Sequence, residues 1–112
     1  MNVNVRFKGF PPSPSLAEYM TDRAHQHLDR FGHRVSAVDV RISDINGPRG
    51  GRDKRCQIAI HVPGLPTLHL EELHESFYAA VDEAALRASR VVARTLERSR
   101  DYHAQAMEGG TS

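Results

Sequence analysis

The stretch FYAAVDEAALRASRVVARTLER, residues 77–98, carries the clearest periodic pattern in this chain. Its apolar positions recur every three or four residues and are Phe77, Val81, Ala84, Ala85, Ala88, Val91 and Val92, with Thr95 at the end. A second set with the same spacing is Arg87, Arg90, Arg94 and Arg98, called the arginine row below. Residues three and four apart share one face of an α-helix. The pattern therefore predicts a helix, beginning near Glu75 or Ser76, with an apolar stripe and an arginine row about 16 Å long.

A shorter helix is predicted near the start of the chain. Residues 2–8 alternate apolar and polar side chains and predict a strand, which three prolines between residues 11 and 14 end. Ser15, with Glu18 three residues later, has the form of a capping box at a helix start. Gly32 is a suitable end. The apolar stripe of this helix is Leu16, Tyr19, Met20, Ala24, Leu28 and Phe31.

Three more strands are predicted, at residues 35–44, at about 55–62, and in a short segment where Leu68 and Leu70 point inward. Because every strand alternates and each helix has one apolar stripe, both helices should pack on the same face of the sheet. The sequence thus predicts an α+β domain of order β-α-β-β-β-α, with a four-stranded mixed sheet whose first two strands are parallel. The domain would span residues 1–103, followed by a disordered tail at 104–112.

The net charge of +1 is unevenly distributed. Residues 84–103 carry five arginines against two acids, and residues 49–55 carry four basic residues against one acid, so each segment has a charge of +3 and the remainder −5. A solvated helix face usually mixes signs, but residues 84–96 contain three arginines and no acid. This asymmetry favours an anionic partner over a plain solvated face, although the chain is far less basic than proteins that coat DNA.

The apolar runs, the N-terminal residues and the cysteine content predict the cellular location. No apolar run approaches the roughly 18 residues of a membrane span, and residues 1–8 have no signal-peptide apolar region. Cys56 is the single cysteine, which argues against a disulfide and for a reducing cytoplasmic compartment. Its alternation with Ile58 and Ile60 predicts a buried side chain rather than a nucleophile.

The loop at residues 46–55 is rich in glycine and basic residues. Its glycines would let backbone amides approach an anion, and its basic side chains are Arg49, Arg52, Lys54 and Arg55. The segment lacks the Gly-Lys-Ser/Thr and following helix of a Walker loop. Two interpretations stay open: contact with RNA or another anion, or a hairpin tip whose charges serve solubility.

Catalytic and metal sites have little support in the sequence. His25 and His27 would lie on opposite sides of a helix, whereas a hairpin could place His61 beside His69 on the wet face of the sheet. With only Glu71 as a further candidate ligand, exposed polar residues are the favoured interpretation. No arrangement of nucleophile, base and acid is evident. The sequence therefore predicts no enzyme, no cofactor and no metal.

Several segments resemble the ribosome hibernation-promoting factors, also called ribosomal subunit interface or sigma-54 modulation proteins. They are Asn-Val-Asn-Val at residues 2–5, Leu28, Phe31 and Val35 around the helix exit, His-Val-Pro-Gly at 61–64, and Phe-Tyr-Ala-Ala-Val-Asp at 77–82. The resemblance covers about residues 2–100. It implies a β-α-β-β-β-α domain that binds the small ribosomal subunit, through 16S-type ribosomal RNA and nearby ribosomal proteins, and inhibits translation in resting or stressed cells.

The resemblance also suggests which residues would contact RNA. The family's basic positions on the second helix correspond to the arginine row, and a basic position on the first helix corresponds to Arg23. We expect Arg30 to face the same side, so that the two helices form a shallow groove with basic walls. Tyr78 could stack on a base, whereas Phe77 is expected in the core.

Two features set the chain apart from the family pattern. The first helix is poor in Lys and Arg, and the 44–55 loop is longer and more basic than usual. The chain resembles the family's short forms, and a monomer is favoured. The alternative is a protein-interaction module of the same fold that uses its wet sheet face and does not bind the ribosome.

Overall fold

The computed structural model describes residues 1–46 and 53–109, with side chains to residue 100. The strands are β1 (Asn2–Lys8), β2 (Ala37–Asp44), β3 (Lys54–His61) and β4 (Leu68–His74). The helices are α1 (Pro14–Leu28) and α2 (Phe77–Gly109), and a 3-10 segment (Asp29–Arg34) follows α1. The predicted β-α-β-β-β-α order is confirmed.

The four strands form one sheet in the order β1-β2-β3-β4. β1 pairs with β2 in parallel, as a β-α-β connection requires, and the other two pairs are antiparallel. The mixed sheet predicted from the sequence is therefore confirmed.

Both helices cover the same face of the sheet. From the sheet, Val38, Val40, Ile42, Cys56, Ile58, Ile60 and Leu70 are buried. The helices bury Leu16, Met20, Ala24 and Leu28 of α1 and Ala80, Val81, Ala84, Ala85, Ala88 and Val92 of α2. The small alanines of α2 let that helix lie close to the sheet. Because α2 has a single apolar stripe, its opposite side faces solvent. We call the uncovered side of the sheet the open face.

The cap of α1 differs from the prediction. The N-cap is Ser13, whose hydroxyl accepts a hydrogen bond from the backbone N–H of Leu16 at 3.3 Å, and not Ser15. Pro14 explains the shift, because proline is favoured in the first turn, where its missing N–H costs nothing. At the other end α1 stops at Leu28, before Gly32, and the 3-10 segment continues the chain.

The end of α2 also differs from the prediction. The helix continues to Gly109, whereas the sequence predicts disorder from residue 104. Residues 104–108 contain no proline or glycine, and their alanine, glutamine, methionine and glutamate all favour helix. Residues 110–112 of the predicted tail lie outside the described residues.

One tight contact joins the end of β1 to the end of β2. Gly9 has a φ of +89°, and a β-carbon there would lie 2.5 Å from the backbone oxygen of Asp44. Only glycine accepts both this conformation and this distance. The contact keeps the chain after β1 close against the last residue of β2.

Candidate nucleic-acid interface

Helix α2 displays the arginine row on its solvent side. Arg87, Arg90, Arg94 and Arg98 are all exposed. Their spacing at 1.5 Å per residue gives a length of about 16 Å. Among the described side chains, Arg90, Arg94 and Arg98 make no ion pair or hydrogen bond. These three guanidiniums are available to an anion without first breaking a contact to residues 1–46 or 53–100.

Arg87 is tied to the edge strand of the sheet. Its Nη1 donates a hydrogen bond to the backbone oxygen of Glu71 at 3.0 Å and lies 3.4 Å from the Glu72 carboxylate. The side chain is still 52% exposed. Arg87 therefore anchors α2 to β4 and keeps part of its guanidinium open to solvent.

The row points away from α1. Asp82 faces α1, and at about 100° per residue the four arginines lie roughly 80–160° around α2 from it. The solvent side and the β4 side of α2 thus carry the positive charge, while the α1 side carries Asp82. The joint between the helices thus carries a carboxylate beside Arg23, whereas the sequence predicts a groove with basic walls there.

Arg23 is held in that joint. Its Nε lies 3.1 Å from Asp82 Oδ1, and its Nε and Nη2 donate hydrogen bonds to Tyr19 Oη at 3.2 and 3.0 Å. Tyr19 in turn donates to Asp82 at 2.6 Å. The hydrogen bond with Tyr19 and the nearby Asp82 carboxylate raise the pKa of Arg23. Arg23 therefore connects α1 to α2, a role that its sequence position does not reveal.

Arg30 lies beyond the end of α1, in the 3-10 segment. It is exposed, and its guanidinium carbon lies 4.6 Å from the centre of the Phe31 ring. Stacking on an aromatic ring limits the motion of a guanidinium without neutralising its charge. Arg30 remains available to an anion.

Lys54 and Arg55 are engaged at the base of the 46–53 loop. Lys54 Nζ lies 3.0 Å from the Asp44 carboxylate and 3.3 Å from that of Asp53, and the hydrogen bond to Asp44 raises the pKa of Lys54. The Arg55 guanidinium lies 3.9 Å from Glu71. Arg49 and Arg52, the other two predicted contacts, lie outside the described residues.

Asp53 is a structural residue that the sequence does not single out. It is 1% exposed, and its backbone oxygen accepts a hydrogen bond from the N–H of Ile45 at 2.9 Å, which closes the base of the loop. A buried carboxylate needs a cation nearby. The ammonium group of Lys54 supplies this cation. Lys54, which the sequence predicts as an RNA contact, therefore stabilises the base of the loop.

The two aromatic residues at the start of α2 have different surroundings. Phe77 stacks on Phe10 with ring centres 4.5 Å apart and belongs to the margin of the core. Tyr78 is 47% exposed and meets the Tyr19 ring edge-on at 4.8 Å. Tyr78 is thus open to a stacking partner beside the helix joint, and Phe77 is not.

The open face carries a hydrogen-bonded histidine and aspartate. His61 Nε2 lies 2.8 Å from Asp39, and the hydrogen bonds from His61 and Asn4 lower the pKa of Asp39. The strand register places His69 opposite Ala59 rather than beside His61. The histidine pair considered as a metal site is therefore not brought together, and residues 1–46 and 53–100 contain no group of three metal-ligating side chains.

Burial explains the state of the one cysteine. Cys56 is fully buried in β3, and its burial raises the pKa of the thiol to about 12, with Glu72 adding to the effect. The prediction of a buried Cys56 is confirmed.

In the part of the chain that the structure describes, no helix is long and apolar enough to cross a bilayer.

Known proteins resemble this chain in sequence and in fold. Residues 3–100 match the family model described as Sigma 54 modulation protein / S30EA ribosomal protein. The chain is 26% identical over 102 residues to the ribosome-binding factor PSRP1 of the Spinacia oleracea chloroplast, covering 87% of this chain and 32% of that protein. The chain thus spans about a third of the length of this curated relative.

Two solved structures share the fold. The N-terminal domain of Thermus thermophilus Protein Y has a TM-score of 0.69 at 23% identity, covering 85% of this chain and 99% of that one. A ribosomal subunit interface protein from Coxiella burnetii has a TM-score of 0.72 at 15% identity, covering 87% and 99%. The match over residues 3–100, which includes β1 except Asn2, the other three strands and most of α2, identifies the chain as a member of the sigma 54 modulation / S30EA ribosomal protein family.

Proposed function

We propose that this protein is a non-enzymatic, ribosome-associated translation inhibitor of the cytoplasm that binds small-subunit ribosomal RNA through α2. The single observation that carries the proposal is the set of three exposed arginines, Arg90, Arg94 and Arg98, that lack a partner among the described side chains. Membership of the family, and the ribosome-binding name of the spinach relative, support a ribosomal partner.

The chemistry of the arginine row suits an RNA backbone. A guanidinium presents a planar fork of N–H donors that matches two phosphate oxygens, and it keeps its charge at any physiological pH. Four such groups along about 16 Å of helix follow a phosphate backbone without reading its bases. Recognition would therefore depend on the shape of folded RNA rather than on its sequence.

The other predicted contacts contribute unequally in this proposal. Arg30 is free to add to the row, and Arg49 and Arg52 would add charge from the loop. Arg23, Lys54 and Arg55 would have to give up the ion pairs described above before reaching RNA, so their share is small. Most of the attraction then comes from α2.

Co-sedimentation with purified 30S subunits at low salt tests the proposal. The variant with Arg90→Glu, Arg94→Glu and Arg98→Glu should remain in the supernatant, while the wild-type protein pellets with the subunits. The single variant Arg94→Glu should pellet less than the wild-type protein. Its matched control, Lys8→Glu, reverses one charge on the exposed end of β1 and should pellet as wild type does. Wild-type protein that stays in the supernatant, or triple-variant protein that pellets equally well, would refute it.

Two further measurements separate the proposal from its alternative. A cell-free translation reaction should slow when wild-type protein is added and should not slow with the triple variant. A partner that stays bound to the protein after nuclease digestion, and is lost on Arg41→Glu, would instead favour a protein-interaction module that uses the open face.

A further inference from the structure

The open face brings two arginines side by side at its centre. In the parallel pairing of β1 with β2, Arg6 lies opposite Arg41, and Arg41 lies opposite Gln57 of β3. Both arginines are exposed. Neighbouring strands lie only about 4.8 Å apart, so two guanidiniums in register repel each other unless an anion lies between them.

The carboxylates nearby are engaged elsewhere. Asp39 is bonded to His61 at 2.8 Å and to Asn4 at 3.1 Å, and Glu71 lies 3.9 Å from Arg55. Arg6 is near enough to Asp39 to help lower its pKa, but neither Arg6 nor Arg41 forms an ion pair or hydrogen bond with any described side chain. Both guanidiniums are thus left without a direct side-chain partner among the described residues, and Asp39 acts on Arg6 only through space.

The same residues line a depression of about 740 Å³. Arg6 and Arg41 lie at one side and His69 and Glu71 at the other. Between them β3 contributes Gln57 and the methyl group of Ala59. Sites for small organic molecules have volumes of about 300–1,000 Å³, far more than one inorganic phosphate fills. The rim also offers the carboxylates of Asp39 and Glu71, which accept hydrogen bonds from hydroxyl groups.

We infer that the open face binds a small phosphorylated organic molecule, with its phosphoryl group held by Arg6 and Arg41. Two guanidiniums on adjacent strands can each donate two hydrogen bonds to one phosphoryl group, and the bound dianion removes their mutual repulsion. Gln57 can donate a further hydrogen bond from its amide. The hydroxyl-bearing part of the ligand lies over Ala59 towards His69, with Glu71 beside it on β4. The site is on the opposite side of the sheet from α2 and does not depend on RNA binding.

Titration of isotope-labelled protein with AMP, followed by amide chemical shifts, tests this inference. The shifts should saturate and should centre on Arg6, Arg41 and Gln57. Arg41→Gln should weaken AMP binding about tenfold or more. Arg34→Gln removes a charge from the 3-10 segment and should leave AMP binding unchanged. Inorganic phosphate should bind more weakly than AMP, because it reaches only the arginines.

Several results would overturn the inference. Shifts that spread equally over the arginines of α2, or an Arg41→Gln variant that binds AMP as wild type does, would remove the site. Inorganic phosphate that binds as tightly as AMP would show that no organic ligand is recognised. Loss of 30S co-sedimentation in the Arg6→Gln, Arg41→Gln double variant, without AMP binding to wild-type protein, would assign this face to RNA. Failure of ribosome binding alone leaves the AMP result unaffected.

Discussion

The salt dependence of ribosome binding should report directly on the arginines that have no partner. Each phosphate neutralised by a protein cation changes the slope of log K against log salt by about 0.7 for single-stranded and 0.9 for duplex nucleic acid. The combined change of Arg90, Arg94 and Arg98 to Gln should therefore lower the slope by about 2.1–2.7. When the salt concentration rises from 50 to 200 mM, the affinity of the triple variant should therefore fall by a factor roughly 20- to 40-fold smaller than that of the wild-type protein.

The structure also predicts how the single variants rank. Arg94→Gln should lower the slope by about 0.7–0.9, because its guanidinium has no contact to give up. Arg87→Gln should have a smaller effect, because that side chain already lies 3.4 Å from Glu72. Arg23→Gln should have almost none, since Arg23 is paired with Asp82 at 3.1 Å.

Binding of fluorescently labelled protein to 30S subunits, measured by anisotropy at four or more salt concentrations, gives the slopes. Lys8→Gln is the matched single-charge control on the open face and should leave the slope unchanged. Equal slopes for Arg94→Gln and Lys8→Gln would refute the assignment of RNA contact to α2. A large change for Arg23→Gln would show that the joint between the helices opens on binding.

Other predictions concern stability and reactivity. Gly9→Ala should destabilise the fold by about 1–3 kcal/mol more than Gly64→Ala in urea unfolding. Both glycines have a positive φ, +89° and +85°, but only at Gly9 would the new methyl meet a backbone oxygen; equal losses would contradict that contact. Cys56 should resist a thiol reagent at pH 8 until the protein unfolds, because its thiol is buried with a pKa of about 12; stoichiometric labelling of folded protein would contradict its burial. Asp39→Asn should cost stability at pH 6 but little at pH 2 in thermal melts. The folded pKa of Asp39 is below its ordinary 3.8, because His61 and Asn4 donate hydrogen bonds to the carboxylate. Its contribution to stability is therefore present above that value and is lost as the pH falls through the folded pKa; a difference that persists unchanged at pH 2 would contradict these hydrogen bonds.

Much of the fold can be predicted from the sequence because its signals are local. Alternation in residues 2–8 and the three-and-four spacing in residues 77–98 depend only on the geometry of one strand and one helix. The order of elements then limits the sheet to few topologies. In the observed one, strands that are consecutive in the sequence are neighbours in the sheet. The sequence predicts the wrong serine as the N-cap of α1, because Ser13 and Ser15 both flank Pro14 and both are favourable capping residues.

Only part of the candidate site can be predicted from the sequence. The arginine row follows from helical spacing alone, and its exposure follows from the apolar stripe on the other side of α2. The engagement of Arg23 could not be foreseen, because Asp82 is 59 residues away in sequence and meets it only when the helices pack. The pairing of Arg6 with Arg41 likewise needs the β1–β2 register, which a shift of one residue would destroy.

The sequence by itself determined the order of elements, the one-sided sheet, the buried Cys56 and the arginine row. These features depend on the period of apolar residues, which is a property of neighbouring positions along the chain. Only the tertiary structure decided which basic residues are free. Arg23, Lys54 and Arg55 are identical in charge to Arg90, Arg94 and Arg98, but packing places a carboxylate within 4 Å of each of the first three. Electrostatic availability depends on distances between segments far apart in sequence, and those distances exist only in the folded domain.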